Sequence, residues 1–72
     1  NVDVRSKPKI DTVHAVMQAI ENVEKQLGKR GRVLVRYSGT QPKCRVMVEG
    51  PSEKETNALC QEIASVVAKE LG

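Results

Sequence analysis

The 72-residue sequence predicts an α+β domain with two layers, a small antiparallel β-sheet and two helices on one face, in the order β-α-β-β-α. Apolar residues recur at helical spacing over residues 13–27 and 59–71. Between these stretches lie two valine-rich runs separated by turn residues. Elements that are apolar on one side bury those sides against one another. We expect a single domain over residues 1–72, because so short a chain cannot form two cores.

The first half of the chain predicts a short strand and a helix. Val2 and Val4 alternate with polar neighbours, as in a half-buried strand. The helix is expected to begin at Asp11, a plausible N-cap, and to end at Gly28, where a capping glycine belongs. Its apolar face comprises Val13, Val16, Met17, Ile20, Val23 and Leu27.

The second helix has the best-marked start in the sequence. Ser52, followed three residues later by Glu55, matches a capping box. The helix is expected to end at Gly72, and its apolar stripe comprises Leu59, Ile63, Val66, Val67 and Leu71.

Residues 32–37 and 44–49 predict a β-hairpin. Directly opposed residues in an antiparallel pair have numbers with a constant sum, and a one-residue slip inverts the faces. A sum of 80 mixes apolar and polar side chains, whereas a sum of 81 collects one apolar face: Val33, Val35, Tyr37, Cys44, Val46 and Val48. The sum of 81 is therefore favoured, with a six-residue connection over 38–43. The order of the strands in the sheet is left open.

The opposite face of the hairpin carries the main functional prediction. The favoured register places Arg36 directly opposite Arg45, beside the connection. Like charges so placed destabilise a sheet unless an anion lies between them. The same face pairs Leu34 with Met47, which predicts either an interface with another domain or a cover provided by the chain itself.

The charge distribution also indicates an anionic partner. The chain has a formal net charge of +3, yet residues 29–48 contain six basic residues and no acidic one, so the remainder sums to −3. A solvated surface normally intersperses its signs, whereas a segregated basic region attracts anions. A basic patch without a ligand remains the alternative.

Five residues around the connection are predicted to form a phosphate cradle, with a simple turn as the alternative, because a Ser-Gly-Thr turn between two strands is common. The guanidinium groups of Arg36 and Arg45 match phosphate oxygens. Ser38 and Thr40 supply hydroxyl donors, and Gly39 between them lets the backbone turn and approach the anion closely.

The remaining residues do not suggest a complete active site. His14, Cys44 and Cys60 are interpreted as surface or small core residues, and two separated thiols with one histidine cannot form a tetrahedral zinc site. No catalytic and no metal-binding residue is predicted. No apolar run approaches the roughly 18 residues of a membrane span. Because two cysteines fall short of a disulfide framework, we expect a cytoplasmic location.

The run Arg-Tyr-Ser-Gly-Thr-Gln-Pro at 36–42 and the run Arg-Val-Met-Val-Glu-Gly at 45–50 resemble a known family. They are similar to the C-terminal domain of the α-D-phosphohexomutases, and the second run points most to the bacterial phosphoglucosamine mutases. The enzymes of that family have four domains, and the last domain binds the phosphate of the substrate that does not react. The resemblance implies that Arg36, Ser38, Gly39 and Thr40 contact this phosphate and that Arg45 supports them.

The resemblance further implies an enzyme that interconverts glucosamine 6-phosphate and glucosamine 1-phosphate through a bisphosphorylated intermediate. The phosphoserine and the magnesium-binding loop belong to other domains, so this chain alone is expected to be inactive and to hold no cofactor. Its implied partners are a sugar phosphate and the other domains of the same polypeptide, without nucleic acid or membrane. A first residue other than Met agrees with a segment of a longer chain. This chain departs from the family pattern at Gln41, where the family usually has Glu. Specificity for another sugar, as in phosphomannomutase or phosphoglucomutase, stays open.

A small RNA-binding module is the alternative from another class. Gly28-Lys29-Arg30-Gly31 has the Gly-x-x-Gly form of a KH domain. That loop joins two helices, however, whereas here a valine-rich run follows, and Tyr37 is the only aromatic residue on which a base could stack. A purely structural interaction domain is the third candidate.

Overall fold

A computed structural model of the chain describes residues 2–72. The predicted order β-α-β-β-α is confirmed, with these bounds: β1 Val2–Asp3, α1 His14–Leu27, β2 Arg32–Tyr37, β3 Lys43–Glu49 and α2 Glu53–Leu71. Short 3₁₀ turns over Ile10–Thr12 and Gly28–Arg30 flank α1. None of the helices in residues 2–72 is both long and apolar enough to cross a membrane.

The three strands form one antiparallel sheet in the order β1-β3-β2. β1 pairs Val2 with Cys44 and Asp3 with Lys43, and the Lys43 ammonium lies 3.5 Å from the Asp3 carboxylate. Residues 2 and 3 therefore lie beside the end of β3 that adjoins the connection. This strand order, which the sequence left open, brings residues 2–8 close to the predicted cradle.

The hairpin has the predicted register. Val33 is opposite Val48 and Arg36 is opposite Arg45, each pair with the sum of 81. β3 begins at Lys43, one residue earlier than expected, so the connection comprises residues 38–42. The Ser38 N–H donates to the Lys43 carbonyl at 2.9 Å, which carries the ladder one step beyond β2.

Both helices cover the valine face of the sheet and form the core with it, which confirms the two-layer α+β architecture. Within residues 2–72, the buried core comprises Val4, Val16, Ala19, Val23, Leu27, Cys44, Leu59, Ile63, Val67 and Leu71. The inward-facing valines of β2 and β3 pack against it and are partly buried. Cys44 is a core residue, as expected.

The predicted start of α1 at Asp11 is wrong, because a 3₁₀ turn occupies that position. Val13 N–H donates to the Ile10 carbonyl at 3.1 Å, and Thr12 Oγ1 donates to the Lys9 carbonyl at 2.6 Å. These bonds hold the chain in a tighter turn than an α-helix. α1 therefore begins at His14 without a side-chain cap.

The other predicted helix boundaries are confirmed. α1 ends before Gly28, whose φ of 58° lies in the region that favours glycine. At the start of α2 the Ser52 hydroxyl accepts the Glu55 N–H at 3.2 Å. α2 ends at Leu71, next to Gly72.

The outer face of the sheet is not covered by residues 2–72. Leu34 and Met47 lie opposite each other there and remain 41% and 37% exposed. The expectation that the chain itself covers this pair is therefore wrong, because both helices pack on the valine side. An interface with another domain stays a prediction.

Candidate functional site

Arg36 and Arg45 lie on the outer face, one on each strand, at the end of the hairpin that adjoins the connection. At the opposite end of the same face, Arg32 and Glu49 form a two-point ion pair, with Nε–Oε2 at 2.9 Å and Nη2–Oε1 at 3.3 Å. Neither Arg36 nor Arg45 forms an ion pair with a carboxylate of residues 2–72. Two like unit charges repel each other by about 1 kcal/mol at 4 Å in bulk water, and by less when they are further apart. An external anion would convert that repulsion into attraction.

The connection beside this arginine pair contains free hydrogen-bond donors. The backbone N–H groups of Gly39 and Thr40 donate to no acceptor in the described part of the chain. The Ser38 hydroxyl accepts the Gln41 N–H at 3.3 Å, so its own proton is free to donate elsewhere. Adjacent free N–H groups in a turn are typical of an anion-binding nest.

A tight turn at Pro42 sets the shape of the connection. Lys43 N–H donates to the Gln41 carbonyl at 2.8 Å, a bond that spans a single residue. This is a γ-turn, which the ring-fixed φ of proline suits. Because Lys43 N–H is used in this turn, the Ser38 carbonyl lacks its expected partner across the hairpin.

Three hydrogen bonds join residues 4–8 to the connection and to the end of β2. Val4 N–H donates to the Pro42 carbonyl at 2.9 Å, and the Tyr37 hydroxyl donates to the Pro8 carbonyl at 2.5 Å. The ammonium of Lys7 donates to the Ser38 carbonyl at 2.8 Å. Sequence reasoning missed Lys7, and the only available signal was its place in the basic stretch around Pro8.

An open hollow of about 300 Å³ lies between the arginine pair and the connection, and its walls are Arg36, Tyr37, Ser38, Gly39 and Arg45. Four of the five predicted cradle residues therefore border one space. Thr40 is not part of the wall, although it is the next residue along the connection. Tyr37, which was not predicted as a site residue, contributes to it.

The phenol of Tyr37 in the wall of the hollow and the thiol of its strand partner Cys44 both have raised pKa values. Burial raises the pKa of the Cys44 thiol. Burial, together with the neighbouring Cys44, raises the pKa of the Tyr37 phenol. Both groups therefore stay neutral, and the thiolate form that attacks an electrophile is disfavoured. In residues 2–72 no three His, Cys, Asp or Glu side chains are grouped so that they could hold a metal ion.

The Gly-x-x-Gly segment does not meet the condition for a KH loop. It lies between α1 and β2, with the 3₁₀ turn Gly28–Arg30 leading directly into the strand. A Cβ on Gly31 would lie 1.9 Å from the Glu49 carbonyl oxygen, so this glycine permits close approach of the backbone to β3. Both glycines have structural explanations within the fold.

Comparisons with known proteins identify a family that this chain matches. Residues 1–66 match the family described as phosphoglucomutase/phosphomannomutase, C-terminal domain. Proteins named phosphoglucosamine mutase from Syntrophus aciditrophicus and Syntrophobacter fumaroxidans are each 58% identical to it over 72 residues. One of the same name from Protochlamydia amoebophila is 50% identical over 72 residues. Each comparison covers 100% of this chain and 16% of the relative, so the chain spans about one sixth of their length.

Proposed function

The chain belongs to the phosphoglucomutase/phosphomannomutase C-terminal domain family, and from that membership we propose that its hairpin connection binds the phosphate group of a sugar phosphate. The proposal rests on Arg36 and Arg45, which lie opposite each other without a carboxylate partner in residues 2–72. They border a hollow whose wall also contains hydrogen-bond donors without an acceptor in the described chain. In the proposed complex the phosphate lies between the two guanidinium groups. Ser38 Oγ and the amides of Gly39 and Thr40 donate to its remaining oxygens, and the Thr40 hydroxyl adds a further donor.

Physical chemistry favours phosphate over a singly charged anion at this site. A doubly charged group between two cations is attracted to each of them twice as strongly as a singly charged one, and these attractions outweigh the repulsion between the two arginines. Each charge-assisted hydrogen bond contributes about 1.5–3 kcal/mol. The hollow is open to water, which screens these interactions and offsets most of the gain. We therefore expect the chain by itself to bind inorganic phosphate or a sugar phosphate on the order of millimolar.

We further propose that the chain is a single domain, residues 1–72, of a cytoplasmic phosphoglucosamine mutase that interconverts glucosamine 6-phosphate and glucosamine 1-phosphate. The support is the name shared by relatives that are up to 58% identical. In this proposal the connection holds the phosphate that does not react, while phosphoryl transfer and magnesium binding take place in other domains of the polypeptide. Another hexose phosphate is the alternative substrate.

The proposed contacts suit a mutase because they are made to phosphate oxygens and not to the sugar. Such a reaction requires the bisphosphorylated intermediate to turn round, so that each phosphate in turn occupies the same site. A cradle of two arginines and three neighbouring loop residues is indifferent to which carbon carries the phosphate. It therefore accepts both orientations of the intermediate.

The test is a titration of the ¹⁵N-labelled chain with glucosamine 6-phosphate, inorganic phosphate and a single-stranded RNA, followed by amide NMR shifts. We expect shifts centred on residues 38–40 with both phosphates. Arg36→Ala should weaken binding about tenfold, the loss of one charge-assisted contact. Arg32→Ala is the matched control, because it removes an arginine from the same strand and face that is already paired with Glu49.

Two results would contradict the proposal. The amides of residues 38–40 could stay unmoved at saturating phosphate, or the two arginine variants could lose affinity equally. Tight RNA binding that falls steeply with salt, without a response to sugar phosphate, would favour the nucleic-acid alternative.

A further inference from the structure

We propose that Lys7 is a positioning residue of the phosphate site: its ammonium holds the Ser38 carbonyl and thereby aims the Gly39 N–H at the anion. The inference deepens the proposed function and rests on it. Lys7 lies 31 residues from Ser38 in sequence, and their bond of 2.8 Å joins the start of the chain to the connection.

The Ser38 carbonyl needs a partner from outside the hairpin. In an antiparallel ladder, a hydrogen-bonded pair of residues exchanges two bonds. Ser38 and Lys43 make only one of them, from Ser38 N–H to the Lys43 carbonyl at 2.9 Å. The return bond is absent because Lys43 N–H donates to Gln41 instead, at 2.8 Å. Lys7 supplies the missing donor.

Fixing this carbonyl also fixes the next amide. The Ser38 C=O and the Gly39 N–H belong to one planar trans peptide unit and point in opposite directions. With the carbonyl held by Lys7, the Gly39 N–H is directed away from that ammonium. This N–H has no acceptor in residues 2–72, and Gly39 forms part of the wall of the hollow.

The opposite orientation of this peptide would work against binding. A flipped Ser38–Gly39 peptide directs the carbonyl where the N–H had pointed, and its partial negative charge then competes with phosphate for Arg36 and Arg45. Glycine makes such a flip inexpensive, because Gly39 tolerates positive as well as negative φ. The Lys7 bond opposes the flip, so the free chain already has the orientation that an anion requires.

The charge of Lys7 is not neutralised elsewhere in the described chain, since none of the ion pairs in residues 2–72 includes it. A positioning role must therefore be separated from simple attraction of the anion by a nearby cation. Lys9 is the matched control: it is exposed, lies two residues away, and its ammonium bonds to no residue of 2–72.

The experiment compares ¹⁵N-labelled Lys7→Met, Lys7→Arg and Lys9→Met chains with the unmodified chain, each titrated with inorganic phosphate. We expect Lys7→Met to shift the Gly39 and Thr40 amides before phosphate is added and to weaken phosphate binding about 3- to 10-fold, the loss of one hydrogen bond. Lys9→Met should weaken binding less than about twofold, as a screened charge does, and leave the free-state Gly39 amide unchanged. Lys7→Arg should restore both properties, because it keeps the donor.

Each other outcome overturns the inference in a recognisable way. Equal losses of affinity in Lys7→Met and Lys9→Met would make Lys7 a surface charge only. Weaker binding without a free-state change at Gly39 would make it a direct phosphate ligand. Loss of the dispersed amide spectrum in Lys7→Met would make it a structural residue. If the unmodified chain does not bind phosphate, the proposed function fails. The Gly39 amide shifts of the unmodified and Lys7→Met chains without phosphate still report whether Lys7 orients the peptide.

Discussion

Gly28 and Gly39 show how differently the backbone depends on two glycines. Gly28 has a φ of 58° at the end of α1, where a side chain would be strained. Gly39 has no positive φ, and a Cβ added there would meet nothing within 4 Å. Gly39 was expected to let the backbone turn, but the turn does not use a conformation that only glycine adopts, and the γ-turn at Pro42 shapes the connection. Its other expected role, close approach of the backbone to an anion, stays a prediction.

At this scale we predict that Gly28→Ala lowers the free energy of unfolding by about 1–3 kcal/mol, because alanine is strained at this backbone conformation. Gly39→Ala should change it by less than about 1 kcal/mol, since its conformation suits any residue. Urea denaturation of the two variants beside the unmodified chain measures both values. Equal destabilisation by the two substitutions would contradict the distinction.

At the scale of elements, β1 and the residues after it do more for the connection than a two-residue strand suggests. This segment begins with β1, which pairs with β3. The Val4 N–H donates to the Pro42 carbonyl, and the Pro8 carbonyl accepts a hydrogen bond from the Tyr37 hydroxyl. Tyr37 extends from the end of β2 and so joins the hairpin to the segment that leads into α1. Its phenol must stay protonated to donate this bond. The stability of this junction should therefore depend on pH.

We predict that the free energy of unfolding decreases as the pH rises above about 9. Burial raises the pKa values of Tyr37 and Cys44 in the folded chain, so the unfolded chain ionises first and gains stability at alkaline pH. Tyr37→Phe should remove the tyrosine part of this decrease, which begins near pH 10. It should also cost about 1 kcal/mol at pH 7 through the lost Pro8 bond. Urea denaturation from pH 7 to 10.5 tests this, and an unchanged alkaline slope in the variant would contradict it.

At the scale of the whole molecule, the sheet separates a packed face from an uncovered one. The inner face and both helices form the core, which includes Ile63 at 0% exposure. The outer face carries the arginine pair next to the exposed Leu34 and Met47. Because both helices pack on one side, the outer side stays exposed within residues 2–72. Its contact with a ligand and with another domain stays a prediction.

We therefore predict that truncating an aliphatic residue costs far more stability on the inner side than on the outer side. Ile63→Ala should lower the free energy of unfolding by about 2–5 kcal/mol, through lost burial and the cavity that remains. Leu34→Ala should lower it by less than about 1 kcal/mol, because water already reaches this side chain. Thermal and urea unfolding of the 72-residue chain compare them. Similar losses would mean that the outer face is also covered in solution.

The sequence by itself determined the two helices, the hairpin, its register and the opposition of Arg36 and Arg45. These features are encoded locally: helical and strand periodicities differ, and a one-residue slip of the hairpin would bury its charges. Only the tertiary structure decided the strand order, the uncovered outer face and the bond from Lys7 to Ser38. A contact between residues 31 positions apart leaves no periodic signal in the sequence. It depends on how helices and strands pack together, and not on the spacing of residues within one helix or strand.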